Sequence, residues 1–112
     1  MAEKIKLVQG DTYPQIRVTL TDENTGAVID LTGATVTLHF RAVGADTVLF
    51  SRQGTVLQNE AALGKAIFIW QAGDLNVEAG EYEGEVEVYW ANTGARQTVY
   101  DLLKFRVRED LA

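Results

Sequence analysis

Apolar side chains fall on every second position through most of this chain, and that period decides what it can fold into. Ile16, Val18 and Leu20 alternate with Arg17, Thr19 and Thr21; Val36, Leu38 and Phe40 alternate with Thr35, Thr37, His39 and Arg41. A period of two sends successive side chains to opposite faces of an extended strand, so each run reads as a half-buried strand. The same period recurs at Ile5 and Leu7, at Val48 and Phe50, at Phe68 and Trp70, along Tyr82, Val86, Val88 and Trp90, and at Phe105 and Val107. Turn chemistry separates the runs: Gly10-Asp11, residues 22–26, Thr32-Gly33, Gly44-Ala45-Asp46, Gly73-Asp74, Ala79-Gly80 and Asn92-Thr93-Gly94. Short strands at this spacing, with little room for crossover helices, predict an all-β chain: an immunoglobulin-like antiparallel β-sandwich of seven to eight strands. A small closed barrel is the alternative. Phe40, Phe68, Trp70, Tyr82, Trp90 and Phe105 share the apolar phase of their strands and are expected to fill the space between the sheets.

The hairpin across residues 92–95 has a polar, glycine-containing loop suited to a tight connection, and it sets a register that can be written out. With Ala91 opposite Arg96, Tyr89 faces Thr98, Glu87 faces Tyr100, Glu85 faces Leu102, Glu83 faces Lys104 and Glu81 faces Arg106. Two opposite-charge pairs result. On the other face Val88 lies beside Val99 and Tyr82 beside Phe105, as core pairing requires. The same register turns Asp101 inward, beside Val86. A bare inward carboxylate is costly, so the sequence implies a bulge near Tyr100 to Leu102, a sheet end open to water, or a hydrogen-bonded Asp101.

At 112 residues one ordinary apolar core suffices, because a chain of this size buries roughly two-thirds of its unfolded surface. Residues 1–112 are expected to form a single domain. The chain has no cysteine, which removes disulfides, thiolate metal sites and thiol nucleophiles. Sixteen Asp and Glu against ten Lys and Arg give a net charge of -6, a field that repels phosphate backbones and argues against nucleic acid as a partner. No apolar run approaches the roughly 20 residues of a bilayer span. The first residues carry no charged-then-apolar leader. The expectation is a soluble product made in the cytoplasm, with no membrane partner.

Glu81, Glu83, Glu85 and Glu87 share one strand face. As a site they would be a carboxylate array for a cation or for acid–base work. With Lys104 and Arg106 across the strand they read better as a solvated, charge-paired face. Calcium loops need ligands converging from one tight loop, and that spacing does not occur. His39 is the only histidine, too little imidazole for a zinc or iron centre. Ser51 is the only serine and lacks the Gly-x-Ser-x-Gly setting of a nucleophile elbow; a triad would have to join the sole serine to the sole histidine by accident. Glycines 10, 26, 33, 44, 64 and 94 open no helix after a strand, so they match neither a phosphate loop nor a dinucleotide fingerprint. No catalytic, cofactor-binding or metal-binding residue is assigned, and no enzymatic activity is expected.

What remains is surface. The register makes Tyr89 and Tyr100 neighbours on the outer face with Leu102 nearby, and Ile67 and Ile69 extend the patch if Phe68 and Trp70 point inward. On a small sandwich such a patch fits protein contact better than ligand contact. Exposed aromatics on a sheet face keep a carbohydrate- or cell-surface-binding module as the alternative.

The order of the motifs carries further information. Lys6-Leu7-Val8-Gln9-Gly10-Asp11-Thr12-Tyr13-Pro14, then Val18-Thr19-Leu20-Thr21-Asp22, then Ile29-Asp30-Leu31-Thr32-Gly33-Ala34-Thr35-Val36 resembles the N-terminal immunoglobulin-like domain of phage baseplate upper proteins. Gly64, Phe68, Trp70, Gly80-Glu81-Tyr82, Glu85-Val86-Glu87-Val88, Gln97-Thr98 and Phe105-Arg106-Val107 continue the likeness, which covers residues 5–108. The resemblance implies a virion component without catalysis that joins distal tail parts to the particle by contacts with other virion proteins. Tail symmetry further implies several copies in a homo-oligomeric ring. Family members usually continue into long C-terminal regions whereas this sequence stops at Ala112, so the expectation is a tail, neck or baseplate adaptor.

Overall fold

The computed structural model describes residues 4–111; residues 1–3 and Ala112 of the expected single domain lie outside the described residues. Among the described residues nine strands follow one another: β1 (Ile5–Val8), β2 (Ile16–Thr19), β3 (Ala34–Ala42), β4 (Phe50–Gln53), β5 (Thr55–Val56), β6 (Lys65–Phe68), β7 (Gly80–Trp90), β8 (Ala95–Thr98) and β9 (Leu103–Arg108). A 3-10 turn at Gln58–Leu63 links β5 to β6. The strands form two sheets, one in the order β1-β9-β7-β3-β4 with β8 also paired to β7, the other in the order β2-β6-β5. This is the immunoglobulin-like sandwich and not the closed barrel. The count exceeds eight because the chain adds the two-residue β5 and breaks its last strand into β8 and β9. The larger sheet is mixed, since β1 runs parallel to β9 while every other named pairing is antiparallel.

Apolar phases meet between the sheets. Val36, Leu38 and Phe40 of β3 and Val86 and Val88 of β7 are buried against Ile16, Leu20, Ala66, Phe68 and Trp70. Leu7, Phe105 and Val107 close the core along the β1 and β9 edge. Phe40 stands at the centre, its ring stacked on Phe50 and Tyr82 and angled against Trp70 and Phe105, with centroids 4.9 to 5.6 Å away. Such pairs add about 0.5–1.5 kcal/mol each beyond the area they bury. Five of the six aromatics expected inside are buried; Trp90 is half-buried at the far end of β7. Val48 departs from its expected strand position, lying in the loop before β4 and exposed. Further along β4 the Arg52 guanidinium donates to both carboxylate oxygens of buried Asp74, which also accepts from the Gln71 amide. That pair ties β4 to the loop ahead of β7.

At Gly54 and Gly84 neighbouring side chains leave no room for a Cβ. Gly54 lies between β4 and β5, where the chain crosses from the larger sheet to the smaller; a Cβ there would meet Phe68 Cε1 at 2.6 Å and Val36 Cγ2 at 2.9 Å. Gly84 lies mid-strand in β7, where a Cβ would meet Leu38 Cδ1 at 2.5 Å and Phe105 Cε2 at 3.0 Å. Two residues before it, the Tyr82 hydroxyl donates to the Glu78 carbonyl. This matches the tyrosine corner of immunoglobulin sandwiches, in which antibody domains place a disulfide cysteine two residues further on. Here that position is Gly84, crowded by Leu38 of β3 and Phe105 of β9.

The register splits in two. In β7 and β9, Glu81 faces Arg106, Tyr82 faces Phe105 and Glu83 faces Lys104, as the sequence predicts. In β7 and β8, Glu87 faces Thr98, Val88 faces Gln97 and Tyr89 faces Arg96, each shifted by two residues from expectation. The shift is absorbed between Thr98 and Leu103, where four residues lie opposite Glu85 and Val86. A bulge is thus the solution the chain adopts. Because the insertion is even, inside and outside keep their phase: Val99 is buried and donates its amide to the Val86 carbonyl. Asp101, expected inward, is instead exposed on the bulge.

Candidate functional site

Polar phases of β3, β7, β8 and β9 build the outer face of the larger sheet. Glu81 takes Lys4 Nζ at 2.7 Å and Arg106 at 2.8 Å. Glu83 takes Arg41 at 2.7 Å and Lys104 at 3.4 Å. Glu87 takes His39 Nε2 and Arg96 Nε, both at 3.4 Å. The face is charge-paired as expected, but not uniformly solvated: Glu83 is buried, at 6% exposure. Its desolvation pushes the carboxyl pKa up, yet hydrogen bonds from Arg41 and Lys104 and their charges outweigh it and hold the net value below the ordinary range. Lys4 acts first on Glu81 and likewise lowers it.

On the bulge side the sign reverses. A hydrogen bond and charge repulsion from Asp101 raise the Glu23 pKa, because two carboxyl groups at one place share a proton more readily than they both ionise. Sequence reasoning missed this pair, since residues 23 and 101 meet only through the fold. Asp22 beside it accepts from Gln97 Nε2 at 3.3 Å. Among the described residues no group of three or more His, Asp or Glu is arranged to hold a metal ion.

The sole serine and sole histidine do come together. Ser51 lies directly opposite His39 in the β3 and β4 register, with Ser51 Oγ 2.7 Å from His39 Nδ1, and the other ring nitrogen approaches Glu87 at 3.4 Å. Sequence reasoning treated such a meeting as an accident, and strand pairing produces it. The row lies along an open sheet face, with Ser51 exposed in extended backbone rather than raised on a turn. Glu87 is moreover shared with Arg96.

Residues expected to form one apolar patch are divided by the fold. The two-residue shift places Arg96, not Thr98, opposite Tyr89, and moves Tyr100 along the strand toward Glu85, roughly 13 Å from Tyr89 at about 3.3 Å per residue. Tyr100 is 83% exposed on the bulge and Tyr89 is 39% exposed. Ile67 and Ile69 do not extend that surface: Ile67 is in β6 of the smaller sheet, on the other side of the sandwich, and Ile69 just follows that strand. Leu102 is half-buried and lines a groove of about 310 Å³ with Val48, His39, Arg41, Glu83 and Glu85. Val48 had no place in the predicted patch because its period resembled that of a strand. No family model, curated protein or solved structure matches this chain.

Proposed function

We propose that this protein is a non-enzymatic structural protein of a phage or prophage virion, a tail, baseplate or neck adaptor that works by protein–protein contact. The observation that carries the reading is the motif order over residues 5–108, which occurs on a chain with the immunoglobulin-like sandwich that the likeness implies. The surface is consistent with it. Tyr89 is exposed on the outer sheet and Val48, Leu49 and Tyr100 are exposed on the segments beside it, and exposed apolar side chains beside charged ones suit contact with other subunits. Homo-oligomeric ring assembly with other virion proteins follows from the symmetry of tails. Open strand edges at β2, β4 and β5 offer a further mode of contact by strand addition.

Mass spectrometry of purified particles tests the reading: the expected result is the chain among the virion proteins, and consistent absence overturns it. The exposure of Tyr100 favours one second reading, a carbohydrate- or cell-surface-binding module with that ring as its platform. Glycan-array binding abolished by Tyr100→Ala would favour the module.

A further inference from the structure

The carboxylate row of β7 has one vacancy. Glu81 and Glu83 each hold two cationic partners and Glu87 holds Arg96 and the His39 ring, whereas the exposed Glu85 carboxylate has no hydrogen bond or ion pair among the described residues. Its neighbours explain why. On one side apolar Leu102 lies near it in the groove, where Glu81 and Glu83 have Arg106 and Lys104 across the strand. On the other side it faces His39, whose ring nitrogens are directed to Ser51 and Glu87. Arg41, the remaining cation of the groove, is engaged by Glu83 and by the Ala45 carbonyl at 3.2 Å. The groove therefore combines one carboxylate that has no partner among the described residues with apolar walls at Val48 and Leu102.

That combination matches a long cationic side chain, which has an aliphatic stem to cover apolar surface and a charged head to meet a carboxylate. We infer that the groove receives a lysine or arginine side chain presented by a partner protein, with the stem between Val48 and Leu102 and the head on Glu85. The inference deepens the adaptor reading and rests on it for the identity of the partner as a protein. A neighbouring subunit with an exposed basic residue on a loop or strand edge has the required chemistry.

The experiment is a titration of the isotope-labelled full chain with a hexa-arginine peptide, read by backbone amide chemical shifts, with hexa-citrulline as the uncharged counterpart. Expected are saturable shifts centred on Val48, Glu85 and Leu102, absent with hexa-citrulline, weakened by added salt, and at least about threefold weaker in affinity for Glu85→Gln. Glu87→Gln, which alters a carboxylate already paired with Arg96, keeps the wild-type site. The inference is overturned by equal affinity for Glu85→Gln and wild type, or by shifts spread evenly along residues 81–87. Self-association of the free protein through this groove, seen in sedimentation and abolished by Glu85→Gln, also overturns it by making a second copy the occupant. The two readings fail separately. Virion cross-links that avoid the groove sink this inference and spare the adaptor role; capture of the peptide at Glu85 by a protein absent from particles does the reverse.

Discussion

The two halves of β7 obey different rules. From Gly80 to Gly84 the strand lies against β9 in the register its charges dictate, with the Tyr82 corner bonded to Glu78 and the Glu81 and Glu83 carboxylates each held from two sides. From Glu85 to Trp90 it lies against a bulge and then β8, the Glu85 carboxylate has no partner among the described residues, and the Glu87 contacts are both 3.4 Å. Composition does not separate the halves, since acids alternate with apolar residues in both. What differs is the anchor opposite. Phe105 and Val107 are buried in β9, so moving that strand would expose large rings; beside the second half Val99 is the buried anchor, and Gln97 on the same phase is polar. Charge pairs follow a register that apolar packing has already locked.

The comparison can be broken most severely at the junction. Gly84→Ala puts a methyl 2.5 Å from Leu38 Cδ1 in a core with no slack. It is expected to cost about 3 kcal/mol in denaturant unfolding. A loss under about 1 kcal/mol would show that close packing at Gly84 does not lock the first half.

Next in size is the contrast between neighbouring acids. Glu83→Gln removes the shared acceptor of Arg41 and Lys104 at a buried position and is expected to cost about 1–2 kcal/mol, discounted because both cations remain partly in water. Glu85→Gln, exposed and unpartnered, should stay within about 0.5 kcal/mol of wild type. Equal losses at the two sites would erase the distinction drawn between the halves.

pH sharpens it further. Glu83 has a folded pKa below its ordinary value of 4.5, so its contribution is present above 4.5 and is lost as pH falls through the lowered value. The stability gap between wild type and Glu83→Gln should accordingly be full near neutrality and close in acid. Glu23 has a folded pKa above 4.5, so its contribution is present below 4.5 and is lost as pH rises through the raised value. Glu23→Gln should therefore gain on wild type at neutral pH, with the difference vanishing in acid. Urea melts across this range would expose either sign as mistaken.

The smallest effect concerns pairing itself. Exchanging Glu83 and Lys104 together should be gentler than the sum of the single changes by a few tenths of a kcal/mol, because the swap keeps opposite signs adjacent. Strict additivity in a double-mutant cycle would mean that the facing charges do not interact.

Much of this architecture was legible beforehand because side-chain period is local. The alternation at Ile16 to Leu20, Val36 to Phe40 and Tyr82 to Trp90 fixed which side chains turn inward, and the even insertion of the bulge left that phase intact. The pairs Glu81 with Arg106 and Glu83 with Lys104 were legible because opposite charges and apolar residues alternate in step along β7 and β9, although the hairpin itself pairs β7 with β8 two residues away from that register. The candidate surface was less accessible. Tyr89 and Tyr100 separated because the bulge displaced one strand by two residues, and Ile67 and Ile69 went to the opposite side because β6 joined β2 and β5.

The chain by itself therefore determined a sandwich of alternating strands, its aromatic interior and the register of β7 against β9. Only the tertiary structure decided that Ser51, His39 and Glu87 share a row, that Glu23 meets Asp101, and that Val48 joins Leu102 and Glu85 in one groove. The reason is physical. Alternation is imposed by each strand's own backbone, whereas neighbours far apart in sequence are chosen by how two sheets close around one core, and no local pattern encodes that choice.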